Sequence, residues 1–281
     1  FCAIPLMRGK HVSKPMDQLV SEAKALVRDG IKEIMLIAQD STFYGIDLYG
    51  ERKLAELMDR LSDVEGLDWI RLHYAYPSKF PFDVLPIINS KPNICNYLDI
   101  PIQHISDNVL KSMRRGITKR RTEEVLDRIR SEVDNIALRT TLLVGHPGES
   151  DQDFKELKDF VNRYQFNRLG VFTYSHEDGT HAGTLEDHVS QEIKSARADE
   201  IMGIQHDISF ANNQKLIGST QKVIIDRIEG DSYIGRTQFD SPEVDNEVII
   251  SLNEGYLRVG DFTNATITGA ESFDLIGKIN I

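Results

Sequence analysis

From residue 14 to about residue 175, amphipathic-helix patterns alternate with short, continuous apolar runs. Apolar residues recur at helical spacing between residues 16 and 27, and the apolar run EIMLIA follows at 33–38. Continuous apolar runs separated by helices indicate βαβ units and a parallel sheet that is covered by helices. Further strands are predicted at 68–74, 96–104, 136–145 and 168–175, and further helices at 54–61, 83–90, 106–114, 121–133 and 151–164.

The pattern changes after one long predicted helix at 190–216. Five short runs rich in β-branched residues follow, and turn-forming stretches such as DSPEVDN separate them. Five short strands within about 65 residues predict a small β-barrel. We therefore divide the chain into an α/β domain at 1–214 and a β-barrel domain at 215–281. The predicted barrel strands are 222–226, 232–237, 247–252, 264–270 and 275–279.

Composition narrows the possible classes of protein. Hydrophobic residues make up 40% and charged residues 27% of the 281, as in a globular protein. Two cysteines are too few for a disulfide framework, which predicts a reducing, cytoplasmic location. No apolar run approaches the roughly 20 residues that span a bilayer, so no membrane partner is expected. The net charge of −11 argues against nonspecific nucleic-acid binding.

Polar side chains follow the predicted strands at the ends where parallel α/β folds bind ligands. The alternative is that strand ends are polar only because loops are polar. The stretch LLVGHPGES is the most informative, because Gly145 and Gly148 would let the backbone approach a ligand and Glu149 could accept hydrogen bonds. A tight turn without a ligand explains the same residues. The five clusters are 39–41, 73–77, 103–104, 145–149 and 175–180.

Metal-ligand spacing is absent from the sequence. The eight histidines form no metal-spaced set, and Cys95 has no Cys or His at ligand spacing. We expect Cys95 to be a buried, inert thiol.

The opening stretch CAIPLMRGKHVSK resembles the segment that follows the last cysteine of the C-x-x-x-C-x-x-C motif in radical S-adenosylmethionine (SAM) methylthiotransferases. The stretch VGDFTNATITGAESFDLIG resembles a TRAM domain, a small β-barrel that binds substrate. The resemblance to this family extends over essentially all 281 residues. Four other stretches resemble blocks of the same family, in family order: AQDSTFYG, YLDIPIQHISDNVLKSMRRG, LRTTLLVGHPGES and FTYSHEDGTHAG.

The resemblance implies an incomplete TIM-like (β/α) barrel followed by a TRAM-like barrel, with SAM and a 4Fe–4S cluster as cofactors. Cys2 would be the third cluster cysteine, and the first two would lie before Phe1. The full-length protein would hold two clusters, the second in an amino-terminal domain outside this chain. We expect this chain alone to carry no intact cluster and to be inactive. The resemblance gives Gln39, Asp40, Gln103, Arg139, Gly145 and Glu149 as residues around SAM, and no catalytic residue.

Within the family, AQDSTFYG and FDSPEVDNEV resemble the branch that methylthiolates an aspartate β-carbon in a small-subunit ribosomal protein. The tRNA-modifying branch usually has Asn where this chain has Asp40. A monomeric enzyme of the ribosomal-protein branch is therefore expected. Two alternatives remain open: a tRNA methylthiotransferase, and a non-catalytic binding module.

The charge of the predicted barrel favours a protein substrate over tRNA. Residues 215–281 carry six lysines and arginines and eleven carboxylates, a net charge of −5. An acidic barrel attracts a basic ribosomal protein and repels tRNA phosphates, although acidity also serves solubility. We expect charge reversal in the cluster Glu243, Asp245 and Glu247 to slow association with the ribosomal protein.

Overall fold

The computed structural model describes residues 4–280, except for the side chains of Pro5 and Leu6. Within this range no helix combines the length and the apolarity that a membrane span requires. The helices are α1 (Ile4–Arg8), α2 (Met16–Arg28), α3 (Ile46–Tyr49), α4 (Leu54–Ser62), α5 (Val84–Ser90), α6 (Asp107–Ser112), α7 (Lys119–Glu132), α8 (Asp151–Tyr164) and α9 (Gln191–Gln214). The strands are β1 (Glu33–Leu36), β2 (Trp69–Leu72), β3 (Ile94–Asp99), β4 (Ala137–Val144), β5 (Arg168–Thr173), β6 (Thr220–Glu229), β7 (Ser232–Thr237), β8 (Glu247–Ser251), β9 (Phe262–Ala270) and β10 (Asp274–Ile279).

Strands β1 to β5 form one parallel sheet in sequence order. Side chains of β4 alternate between the two faces, as strand geometry requires. Leu142 and Val144 belong to the main hydrophobic core, whereas Arg139 and Thr141 line a cavity on the opposite face. The sheet is therefore one wall of an incomplete barrel, with helices outside and an open polar interior.

The five strands β6–β10 close into a separate small barrel in the order β10-β8-β7-β6-β9. Its core is aliphatic apart from Tyr233, and it is formed by the β-branched runs from which these strands were predicted. Both parts of the predicted fold class, the incomplete α/β barrel and the small all-β barrel, are thus confirmed.

An apolar cluster and buried ion pairs join the β-barrel to the sheet. Trp69 meets Phe262 edge to face, with ring centroids 4.8 Å apart. Glu33 accepts hydrogen bonds from Arg71 and from Arg236 of the barrel. Aromatic contacts and charge-assisted hydrogen bonds of this kind fix the relative position of two packed units.

Cys95 lies in the same apolar cluster, where it is buried. Burial raises the pKa of its thiol to about 12, so it is protonated near neutral pH. The structure therefore agrees with the sequence-based expectation of a buried, inert thiol at Cys95.

The prediction from the sequence missed the short helices α1 and α3 and placed the ends of some other elements differently. The strand predicted from residue 96, with Pro101 as its end, begins two residues earlier as β3 at Ile94 and ends at Asp99, and the predicted helix 121–133 begins two residues earlier, at Lys119. Thr118 explains that start, because its hydroxyl accepts a hydrogen bond from the Arg121 amide and caps α7.

Candidate cofactor-binding site

A cavity of about 690 Å³ opens on the interior face, at the carboxyl ends of the parallel strands. Its volume lies within the range of small-molecule sites, roughly 300–1,000 Å³. Four of the six predicted SAM-site residues line it, and aromatic rings complete its walls. The four predicted residues are Gln39, Asp40, Gln103 and Arg139, and the rings include Tyr74, Tyr76 and Phe172.

Gln39 and Asp40 follow β1 and form one side of the cavity. The carboxylate of Asp40 accepts hydrogen bonds from the amide and hydroxyl of Thr42, 3.0 and 2.7 Å away, and so caps the short turn at Ser41–Phe43. Burial raises the pKa of Asp40. Gln39 is exposed, and its amide makes no hydrogen bond to any residue between 4 and 280, so it is available to a ligand.

Three non-glycine residues line the cavity in left-handed backbone conformations, Tyr74 at φ 53°, Gln103 at φ 72° and Arg114 at φ 55°. Such conformations cost on the order of 1–3 kcal/mol and persist only when their surroundings fix them. Gln103 is fixed by β4, since its amide donates to Thr141 O and its carbonyl accepts from Leu143 N. The Tyr74 amide donates to the carboxylate of Asp99. Hydrogen bonds of the backbone thus fix the positions of Tyr74 and Gln103 in the cavity wall.

Arg139 lies on the cavity wall between two carboxylates. Nη1 donates to Asp99 at 3.1 Å, and Nε donates to Asp245 of the β-barrel domain at 3.2 Å. Burial raises the pKa of Asp99, but its contacts with His73 and Arg139 outweigh burial and hold the pKa below its usual range. The guanidinium therefore stays charged and oriented at the edge of the cavity.

Gly145 and Glu149 lie in the turn between β4 and α8 and are not among the described residues that line the cavity. The Glu149 side chain is 0% exposed and accepts from Gly145 N, His146 N and Arg197 Nη1, at 2.7, 3.2 and 2.8 Å. Gly145 has φ 74°, and an added Cβ would overlap Lys194 of α9. These contacts explain both residues structurally, and their part in binding SAM remains a prediction.

Cys2, which the resemblance gives as a cluster ligand, lies outside the described residues. Among residues 4–280 no group of three or more His, Cys, Asp or Glu side chains could hold a metal ion. The described residues therefore do not supply the three thiolates that a 4Fe–4S cluster requires. The cavity itself does fit SAM, because it combines amide and guanidinium groups with aromatic walls.

The predicted acidic cluster of the barrel is not a single surface feature. Glu243 is exposed, but Asp245 is buried against Arg139, and Glu247 is paired with Arg227. The expectation that all three attract a partner is therefore corrected, since a buried or paired carboxylate contributes little to steering. Asp99 and Asp245 were missed as site residues. Asp99 ends a strand beside the predicted cluster at 103–104, which was a usable signal, whereas nothing in the local sequence marks Asp245.

Comparisons with known proteins agree with this geometry. A profile of the radical SAM superfamily matches residues 1–161, more than half of the chain. This chain belongs to the radical SAM superfamily. Members of the superfamily use SAM and a 4Fe–4S cluster, and a TRAM domain profile matches residues 217–279.

Two curated relatives are similar along nearly the whole chain. The ribosomal protein uS12 methylthiotransferase RimO of Flavobacterium johnsoniae is 55% identical over 278 residues, which are 99% of this chain and 64% of the relative. The protein of the same name from Cytophaga hutchinsonii is 55% identical over 279 residues, again 99% and 64%. The chain thus spans about 64% of the length of these relatives.

Solved structures support the fold alone. Coproporphyrinogen III oxidase (HemN) from Escherichia coli, a radical SAM enzyme, superimposes with a TM-score of 0.54 at 14% identity, over 79% of this chain and 60% of that chain. Methylornithine synthase (PylB) gives a TM-score of 0.50 at 15% identity, over 73% of this chain and 58% of the other.

Proposed function

We propose that this protein is a methylthiotransferase that inserts a methylthio group at the β-carbon of an aspartate in ribosomal protein uS12. The observation that carries the proposal is 55% identity, over 99% of the chain, to two proteins named for that activity. The cavity supports it, because four residues assigned from the family blocks converge there from β1, β3 and β4. We further propose that the full-length protein is cytoplasmic and monomeric and holds two 4Fe–4S clusters, with Cys2 as one ligand of the SAM-binding cluster.

In superfamily members, SAM and the reduced cluster together supply the radical that breaks an unactivated C–H bond. The residues of this chain would bind and orient SAM. Gln39 would offer its amide, and Arg139 would attract the SAM carboxylate. Tyr74 and Phe172 would form apolar walls beside the bound cofactor.

The charge of the chain supports a basic protein substrate. The net charge is −11, and residues 215–281 alone carry −5. Opposite charge speeds the encounter with a ribosomal protein, and like charge opposes tRNA. The attraction should weaken with salt, because the Debye length is about 10 Å at 0.1 M ionic strength.

The test is a reaction of the reconstituted full-length protein with SAM, sulfide and a reductant, supplied in parallel with uS12 and with tRNA. We expect mass spectrometry to find one methylthio group in place of one hydrogen on a uS12 aspartate, and unmodified tRNA. Substituting asparagine for that aspartate should abolish the product. Methylthiolated tRNA with unchanged uS12 would place the protein in the tRNA-modifying branch, and no product from either substrate would refute the proposal.

A further inference from the structure

The loop between β7 and β8, residues 238–246, joins the β-barrel to the sheet through polar contacts with four consecutive strands or their ends. Arg71 of β2 donates to the carbonyl of Gln238 at 2.7 Å. Further polar contacts join Asp240 to Arg168 of β5, Ser241 to His73 after β2, and Asp245 to Tyr97 of β3 and Arg139 of β4. The loop therefore has a fixed position on the interior face of the sheet.

The tip of this loop forms part of the cavity that holds the predicted SAM residues. Val244 lines the 690 Å³ cavity, and Pro242, Glu243 and Val244 line an adjoining cavity of about 260 Å³. Arg139 lines both cavities. The β-barrel domain thus contributes directly to the walls around Arg139.

Asp245 is the loop residue that touches Arg139, and its side chain is only 1% exposed. One carboxylate oxygen accepts from Arg139 Nε at 3.2 Å. The other accepts from the Tyr97 hydroxyl at 2.7 Å and from the Ser241 amide at 2.9 Å. Since both oxygens are bonded, the carboxylate cannot rotate freely, and it fixes the Nε edge of the guanidinium.

The remaining donor of Arg139 is left for a ligand. Nη1 is bonded to Asp99 and Thr141, at 3.1 and 3.3 Å, while Nη2 makes no hydrogen bond to any residue in the described range. On the neighbouring strand, a Cβ at Gly170 would still be 4.0 Å from Nη2. A guanidinium held through Nε and Nη1, with both N–H groups of Nη2 unbonded, is suited to an anionic group such as a carboxylate.

We propose that Asp245 is a positioning residue, by which the β-barrel domain holds Arg139 in the geometry that binds the carboxylate of SAM. This inference rests on the proposed function for the identity of the ligand. It adds that the β-barrel is part of the cofactor site as well as a platform for substrate.

The chain offers a matched control in Asp240. It lies in the same loop, its side chain is also 1% exposed, and it is also paired with an arginine of the sheet, Arg168, whose Nε donates to it at 2.6 Å. Within the described residues, the Asp240 carboxylate is hydrogen-bonded to Arg168 and Thr237 and not to Arg139. D240N and D245N therefore each neutralise one interdomain ion pair, and only D245N weakens the contact that holds Arg139.

The experiment compares D245N, D240N and the wild type as full-length reconstituted proteins, with two readouts. The first is the dissociation constant of SAM by calorimetric titration. The second is the rate at which phenylglyoxal modifies Arg139 without SAM, followed by peptide mass spectrometry. Loss of one charge-assisted hydrogen bond predicts about tenfold weaker SAM binding and clearly faster modification in D245N, and changes below about twofold in D240N.

A milder variant guards against misfolding of D245N. Tyr97→Phe removes only the hydroxyl that holds the second oxygen of Asp245, so it should shift both readouts in the same direction by a smaller factor. Equal effects of D245N and D240N on both readouts would overturn the inference, as would unchanged Arg139 reactivity in D245N. If the wild type binds no SAM, the proposed function fails, whereas the phenylglyoxal comparison still decides whether Asp245 positions Arg139.

Discussion

Replacement of Asp153 by asparagine should destabilise the α/β domain by about 2 kcal/mol at neutral pH. Asp153 is the third residue of α8, and its carboxylate accepts from the Ser150 amide and hydroxyl, the Asn108 amide and the Ser106 hydroxyl. It therefore forms a capping box and ties α8 to the start of α6. Burial alone would raise its pKa, but these hydrogen bonds outweigh burial and lower the pKa to about 2, from 3.8.

The sign and the size of the effect follow from linkage. The folded pKa lies below the unfolded pKa, so the charged carboxylate stabilises the fold above pH 3.8 and loses this effect as the pH falls through about 2. A shift of somewhat less than two units corresponds to about 2 kcal/mol, at roughly 1.4 kcal/mol per unit. An asparagine in this position lacks the charge and offers an NH₂ group to partners that are themselves donors.

The assay is urea unfolding of the wild type, D153N and D151N, at pH 7 and at a series of values down to pH 2. Asp151 is the matched control, because it begins the same helix but is exposed, with a single ion pair to Arg197. We expect D151N to change the free energy of unfolding much less, and the deficit of D153N to shrink below about pH 4. Equal effects of the two substitutions, or a D153N deficit that stays constant to pH 2, would refute the reasoning.

Three further predictions concern buried groups. Burial lowers the pKa of His104 to about 3, so the free energy of unfolding should fall by about 1.4 kcal/mol per unit as the pH drops from 6.5 towards 3, and His104→Asn should flatten this slope in urea titrations. Gly145→Ala should destabilise the fold by about 1–3 kcal/mol in the same assay, and more than Gly148→Ala, because both glycines have positive φ but only at Gly145 would the new Cβ overlap Lys194. Cys95 should resist iodoacetamide in the native protein and react after unfolding, as mass spectrometry can show; labelling of the folded protein would contradict its burial.

The fold was predictable because its strongest signals are local. The apolar run at 136–145 and the amphipathic segment at 151–164 each predict an element from their own pattern of apolar residues. The structure has β4 and α8 at those positions. The order of the strands does not follow from that pattern, since doubly wound sheets show the same alternation, and it was expected only from the resemblance to a TIM-like barrel. Elements without such a pattern were missed, including α1 at Ile4–Arg8, because five residues are too few to show a helical period.

Parallel-sheet geometry explains why the site residues that follow a strand come together, whereas Arg139, within β4, was assigned from the family resemblance alone. Gln39, Asp40 and Gln103 lie close together because the ends of parallel strands converge. This proximity does not depend on which hydrogen bonds their side chains make. Glu149 shows the limit of that rule. It stands at the same kind of position, but Arg197 from α9, 48 residues along the chain, takes its carboxylate into the core.

Asp245 shows the same limit in the opposite direction. In the sequence it is one of several carboxylates in an acidic loop, and its neighbours Glu243 and Val244 are exposed. What distinguishes Asp245 is the pairing with Arg139, 106 residues away, and the hydroxyl of Tyr97. Burying a charge is unfavourable unless a partner of opposite charge is already in place, so the burial of Asp245 and the orientation of Arg139 determine each other. A property that belongs to a pair of residues from two domains has no signature in either segment alone, which is why the role of the β-barrel at the cofactor site emerges only when the two domains are seen packed together.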